Sequence, residues 1–427
     1  MDCNETLNWL YDFQKFGINL GLKRIGYISK ELGNPHKNYK VIHVGGTNGK
    51  GSVCRFLESI LTSAGYKVGV YTSPHLQHIS ERIMIGNKRI SDEKLVSLAH
   101  NVKPIINMMV KNNDPPTFFE IITAMAFQYF SDENVDFAVM EVGLGGRYDA
   151  TNIVDPMVSI ITNVSLDHQN ILGKNVKDIA SEKAGIIKNN VPIVTAAKED
   201  SLKIIENVAN DRNAPIYQVE DKKWKRLNHN QGGQEFYING SLKDYSVRTQ
   251  MLGEHHGENI ALTIAAIENL QMSGVYIIDT NILDGIEKTF NPGRMEIVGY
   301  NPVILLDGAH NKAGMESLGD SIKNDFEYDK LTLVLGILSD KDILSMLPTI
   351  VPLADIIITT KSNNNRACEP SDLKGMITKV DNKKKVVVKE KIKDAIDYAK
   401  SISKKKDLIC ITGSLFTVGE AKDYLVP

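Results

Sequence analysis

The feature that most constrains this chain is a rhythm in which short, continuously apolar runs alternate with stretches of helical spacing. "YKVIHV" (39–44), "KVGVYTS" (67–73), "VDFAVMEVG" (135–143), "MVSIITNV" (157–164) and "VPIVTAA" (191–197) read as strands. They are apolar on consecutive rather than alternate residues, so both faces of their sheet must be covered. Between them, "VCRFLESILTSAG" sets Val53, Phe56, Leu57, Ile60 and Leu61 on one face of a helix. The expected fold class is α/β, a mostly parallel sheet with helices on both sides. Ahead of the first strand, "ETLNWLYDF" and "GLKRIGYISKEL" read as short amphipathic helices. Residues 215–250 are more polar and read as an antiparallel edge or subsidiary sheet, followed by the helices "GENIALTIAAIENL" and "TNILDGIEKTF".

At "NPGR" (291–294) Pro and Gly interrupt the pattern, and a second alternation begins. Here "PVILLDGAH", "LTLVLGIL", "DIIITT", "KVVVKE" and "DLICITG" read as strands of a smaller, doubly wound sheet. The expected units are 1–294 and 295–427, and a chain of 427 residues has ample core for both. Lys plus Arg number 50 against 52 acidic residues, a formal charge of -2, with no basic stripe interleaved with aromatics. That balance argues against a nucleic-acid partner. The cysteines at 3, 54, 368 and 410 form no C-x-x-C pair, which points to a reducing compartment rather than a zinc knuckle. No run of 18 apolar residues and no leader pattern occur, so the expectation is a cytoplasmic protein that does not enter a membrane.

The run "HVGGTNGKGS" (43–52) lies between the first strand and its helix. Such a turn converges backbone N–H groups at a helix N-terminus, lets them approach an anion, and allows Lys50 to reach phosphates. The pattern G-x-x-x-x-G-K-[ST] is not met, because Val44 replaces the leading glycine and Ser52 falls one place late. Spacing alone leaves two readings, a phosphate cradle or an ordinary glycine turn. Polar clusters also follow the other strands: "YTSPHLQHISERI" with Ser73, His75, His78 and Glu81; "MEVGLGGRYDATN" with Glu141, Arg147 and Asp149; "TNVSLDHQNILG" with Asp167 and His168. Open α/β sheets bind ligands at such strand ends. Ser73 and Glu141 offer the hard oxygens magnesium prefers, whereas chemistry alone does not decide for His168. Taken singly, His75 and His78 read as turn residues.

Eight stretches in order, "HVGGTNGKGSV", "YTSPHLQHISERI", "TFFEIITAMAF", "EVGLGGRYDATN", "NVSLDHQNILG", "IASEKAGIIK", "NPGRME" and "LLDGAHN", resemble the folylpolyglutamate synthase and dihydrofolate synthase family. This is the folate branch of the Mur-ligase-like enzymes, and the resemblance runs from "FGINLGLKRI" to "TGSLFTVGE". It implies a large N-terminal phosphate-loop ATPase domain and a smaller Rossmann-like C-terminal domain. The implied reaction is ATP-dependent ligation of L-glutamate to a reduced folate or folylpolyglutamate through an acyl phosphate. It leaves open dihydropteroate as a second substrate in the same site. A UDP-muramoyl amino-acid ligase and a catalytically silent nucleotide-binding protein are the alternative readings.

Carried over by position, the resemblance implies that Gly46, Thr47, Asn48, Gly49, Lys50, Gly51 and Ser52 form the phosphate loop, with Lys50 at the β and γ phosphates. It makes Ser73, Glu141 and His168 the magnesium ligands. Arg294 is implied beside the transferring phosphate, Asp307 at the ribose, His310 near the nucleotide and Asn259 at the adenine. Otherwise Asn259 reads as a cap or exposed helix residue. Phe118 and Phe119 are candidate pterin contacts, one of them expected in the core, while His255 and His256 receive no role. Lys183 reads by itself as a solvated helix lysine or the partner of a nearby glutamate; the resemblance implies a carbamate on its amine. The implied enzyme is a monomer.

Overall fold

The computed structural model describes residues 2–426, so the terminal residues of the expected units 1–294 and 295–427 lie outside the described residues. Eight strands form the first sheet: β1 (Lys40–Gly45), β2 (Val68–Tyr71), β3 (Ile83–Ile85), β4 (Lys88–Arg89), β5 (Phe137–Glu141), β6 (Pro156–Ile161), β7 (Ile193–Thr195) and β8 (Ile216–Gln218). Their order is β4-β3-β2-β5-β1-β6-β7-β8. The run from β2 to β8 is parallel, and β3 and β4 add an antiparallel hairpin at one edge. β1 and β5 lie at the centre, and both are buried almost throughout, as their unbroken apolar sequences require.

Helices cover both faces. On one, Lys50–Ser63, His256–Met272 and Asp279–Lys288 pack Phe56, Leu57, Ile60, Ile264 and Ile282 over the sheet. On the other, Asp92–Lys111 and Phe118–Asp132 pack Leu98, Val102, Ile121, Met125 and Phe130. A three-stranded antiparallel sheet follows, β9 (Trp224–Asn230), β10 (Gly233–Asn239) and β11 (Asp244–Thr249). It alternates buried and exposed residues along β11 and sets Phe236, Ile238 and Val247 against the first core.

The second sheet contains β12 (Glu296–Gly299), β13 (Val303–Asp307), β14 (Leu331–Leu335), β15 (Ile356–Lys361), β16 (Lys385–Lys391) and β17 (Leu408–Thr412). Its order is β12-β13-β17-β14-β15-β16, parallel except for β12. Separate apolar clusters lie on its two faces.

Three features differ from the sequence reading. The hairpin β3–β4 and the edge strand β12 have no counterpart in it, being short and, in β4 and β12, exposed or half-buried. Residues 216–218, read with the antiparallel stretch, instead join the first sheet in parallel as β8. The strand expected over 67–73 ends at Tyr71, which leaves Thr72 and Ser73 in the loop beyond the strand end.

Candidate active site

The turn after β1 is shaped by its glycines. Gly46 has φ +136°, and a Cβ there would lie 2.9 Å from the Thr162 backbone nitrogen. Gly49, at φ +83°, starts the helix Lys50–Ser63 and lies against the Asn259 carboxamide, which leaves no room for a side chain. Residues after β6 brace the turn. Asn48 N–H donates to Asn163 Oδ1 (3.0 Å), Thr47 N–H to the Asn163 carbonyl (2.9 Å), and Thr162 Oγ1 to the Asn48 carbonyl (2.6 Å). Lys50 Nζ lies over the turn, donating to the carbonyls of Gly46 (3.1 Å) and Thr47 (3.0 Å).

Beside this turn, Glu141 ends β5 and is only 4 % exposed. Its Oε2 accepts the Ser73 N–H at 3.0 Å. Burial raises the Glu141 pKa, opposed chiefly by the Lys50 ammonium. Lys183, in the helix Val176–Ala184, is 4 % exposed and donates to the Gly46 carbonyl at 2.7 Å, so two lysine amines meet over one peptide oxygen. Burial, reinforced by Lys50, lowers the Lys183 pKa to about 7. The simplest expectation for this residue, a solvated side chain, is thereby corrected.

Arg294, in the turn ahead of β12, reaches the cleft and donates to the Gly308 carbonyl at 3.4 Å. Asp307 ends β13, and its oxygens accept N–H groups of Met295 (3.0 Å) and Ala309 (2.9 Å), which pins the "NPGR" turn to the strand. His310 Nδ1 donates to the Gly308 carbonyl (2.8 Å). Burial, with Lys341 and Arg294, lowers its pKa to about 4, so at pH 7 the ring is neutral and Nε2 is an acceptor.

The residues expected at the nucleotide, the magnesium ion and the carbamate all line one cavity of about 800 Å³: Gly46 through Ser52, Ser73, Glu141, His168, Lys183, Asn259, Arg294, Asp307 and His310. Of the two candidate pterin contacts, Phe119 lines a neighbouring cavity and Phe118 lines neither. Asn259 is buried on the helix His256–Met272 and is not a cap. A second cavity of about 350 Å³ adjoins it. Its walls include Phe119, Leu144, Ala150, Leu338 and Phe416, with Arg82, Lys341 and Arg366 among its charged groups. Ser73, His168 and His310 border both cavities. Phe119 packs against Gly143, where a Cβ would collide with its ring, whereas Phe118 is buried beneath the Arg82 guanidinium. His75 accepts from Arg82 Nε (2.9 Å) and His78 caps the turn Ile79–Arg82, so both organise the loop.

The sequence reading missed Lys341, Arg366, Asn311 and Ser414. All follow strands of the second sheet, and the strand-end rule applied to "GILSDKD" and "TGSLF" would have found Lys341 and Ser414. Among the described residues there is no cluster of three or more His, Cys, Asp or Glu groups arranged for a metal ion, and no helix is long and apolar enough to cross a membrane.

A glycine turn under one sheet, closed over by strand-end loops of another, defines the class of Mur-type ligases. Residues 44–267 match the Mur ligase middle domain, and residues 293–415 match the Mur ligase glutamate ligase domain. The chain is 36% identical to the dihydrofolate synthase/folylpolyglutamate synthase of Bacillus subtilis, over 99% of this chain and 98% of that protein. It is 32% identical to the Escherichia coli protein of the same description, over 98% and 94%. Mycobacterium tuberculosis folylpolyglutamate synthase complexed with ADP superposes with a TM-score of 0.93, at 31% identity over 100% of this chain and 99% of that one. E. coli FolC in complex with DHPP and ADP gives 0.87 at 30% identity, over 98% and 97%. The chain belongs to the dihydrofolate synthase/folylpolyglutamate synthase family.

Proposed function

We propose that this chain is an ATP-dependent ligase that joins L-glutamate to a reduced folate or folylpolyglutamate, with dihydropteroate as a further acceptor in the same site. The observation that carries the reading is the junction of the two cavities at Ser73, His168 and His310. A nucleotide whose phosphates lie on the turn 46–52 would present its γ-phosphate toward a carboxylate held in the second cavity. Phe119, Leu144 and Ala150 suit a flat pteridine, and Lys341 and Arg366 supply the positive charge that the carboxylates of glutamate require. Similarity to enzymes named for folylpolyglutamate and dihydrofolate synthesis favours this reading over a UDP-muramoyl ligase.

The reaction follows from the weakness of a carboxylate as an acyl donor. One carboxylate oxygen attacks the γ-phosphorus and ADP leaves. The neutral amine of glutamate then adds to the acyl carbonyl, and phosphate departs with that oxygen. Lys50 and Arg294 stabilise charge on the transferring phosphoryl group, and the enclosing loops exclude water that would hydrolyse the acyl phosphate. Asn259, Asp307 and His310 hold the nucleoside side. Ser73 and Glu141 are adjacent oxygen donors on the cavity wall, and with His168 they fit a magnesium ion, which would neutralise phosphate charge. We further propose 1–294 and 295–427 as the functional units and assign Lys183 a carbamate: its neutral amine adds carbon dioxide and releases a proton. The short contact to Gly46, the burial and the proximity of Lys50 support that assignment.

Glutamate-dependent ADP release, measured with tetrahydrofolate and then with dihydropteroate, tests the function. Turnover with either supports the reading. Turnover only with a UDP-muramoyl substrate replaces it, and nucleotide binding without turnover on any acceptor marks a silent relative.

A further inference from the structure

Asp167 lies in the loop after β6, yet most of its carboxylate's partners come from the second sheet. Oδ1 accepts from Lys341 Nζ at 3.0 Å, and Oδ2 accepts from Asn311 Nδ2 at 3.2 Å, with His310 Nε2 4.0 Å away. Oδ1 also accepts the His168 N–H at 2.8 Å, across a residue held at φ +49°. Asn311 carries the connection onward. Its amide pairs with that of Asn48 in the phosphate turn, Nδ2 to Oδ1 at 3.0 Å and the reverse at 3.4 Å. The same Asn311 caps the helix Lys312–Asp325 through Gly314 N–H at 2.8 Å. The side chains of Asp167 and Lys341 are 12 % and 10 % exposed, so little water screens their attraction.

We propose that Asp167 is a positioning residue that holds the second sheet's loops over the phosphate turn, acting through Lys341 and Asn311 rather than by touching the reacting groups. Three otherwise separate parts converge on it: the phosphate turn through Asn48 and Asn311, the junction of the cavities through His168, and the far wall of the second cavity through Lys341. Any shift of that wall misplaces the acceptor amine relative to the acyl carbonyl, and misplacement by about an ångström costs on the order of a hundredfold in rate. This inference rests on the glutamate-ligase reading.

The test uses the full chain and three variants, D167N, K341M and the double variant, with K341R as the conservative control. D167N is expected to lose turnover by on the order of a hundredfold while its ADP affinity, by calorimetry, stays within about twofold of the parent. The KM for glutamate should rise more than that for ATP. The double variant should lose less than the product of the two single losses, because the two substitutions share the Asp167–Lys341 interaction. K341R should recover part of the turnover lost in K341M. If D167N does not fold, D167S takes its place in the same measurements. Multiplied losses in the double variant, parental turnover in D167N, ADP affinity falling with turnover, or K341R no better than K341M would each overturn the proposal. Absence of glutamate-dependent turnover in the parent would instead remove the functional reading beneath it.

Discussion

At the scale of single residues, two lysines carry the sharpest expectations. Lys50 leans over the turn from the first residue of its helix, so Lys50→Ala removes charge from the cleft and leaves the core intact. The variant should fold, with turnover reduced by about 3–4 kcal/mol of transition-state stabilisation, measured as kcat/KM. Rates within about tenfold of the parent would remove Lys50 from the phosphate site. Lys183 has a folded pKa of about 7 against an ordinary 10.5. Its neutral amine therefore predominates above pH 7 and is lost below it. The cost of holding an ammonium there is fully present below pH 7 and is relieved as pH rises toward 10.5. Turnover should fall on acidification through pH 7 and respond to added bicarbonate. Lys183→Ala should lose both responses and most of the chemical rate, retain nucleotide binding, and regain part of its activity with a small carboxylate. A bicarbonate-insensitive parent would count against the carbamate. The glycine turn and the acidic strand end were legible in sequence because each has its own local signal. The burial of Lys183 was not, since a helix lysine looks solvated until the element covering it is known.

At the scale of elements, the parallel strands were legible because strands buried on both faces must be apolar at every position. Residues in "KVIHVG" and "FAVME" are buried almost without exception. The hairpin β3–β4 and strand β12 escaped because two to four residues at a sheet edge leave no periodicity to read. Glycines also determine how closely elements approach. Gly146 lies beneath the helix that carries Lys183, and a Cβ there would lie 2.7 Å from the Glu182 carbonyl and 2.9 Å from that of Lys183. Backbone cannot rotate aside as a side chain can. Gly146→Ala should therefore push the helix outward, destabilise the protein by about 1–3 kcal/mol in a denaturant titration, and lower activity by displacing Lys183. Parental stability together with parental turnover would show that the helix has room to move.

At the scale of the whole molecule, the glycine turn, the strand-end loops and the break in the pattern at "NPGR" could be read one at a time, but their meeting across the cleft could not. The pairing of Asp167 with Lys341 spans 174 positions, and no local pattern announces it. The same is true of Arg226 on β9 and Asp325 at the end of the helix Lys312–Asp325, which meet at 2.7 Å with side chains 9 % and 2 % exposed. Asp325→Ala would strand a buried guanidinium whose Nε and Nη2 already lack protein partners. A loss of about 3–5 kcal/mol and a clearly lower Tm are expected, and an unchanged Tm would mean that water replaces the carboxylate. The central claim, that a carboxylate in one cavity is phosphorylated from the other before glutamate attacks, can be followed through a single atom. Tetrahydrofolylglutamate labelled with ¹⁸O in its acceptor carboxylate is incubated with the enzyme, ATP and L-glutamate, and the released phosphate is examined by mass spectrometry. Glutamate-dependent phosphate carrying one ¹⁸O for each amide formed is the expected result. Amide formation with unlabelled phosphate would contradict that claim.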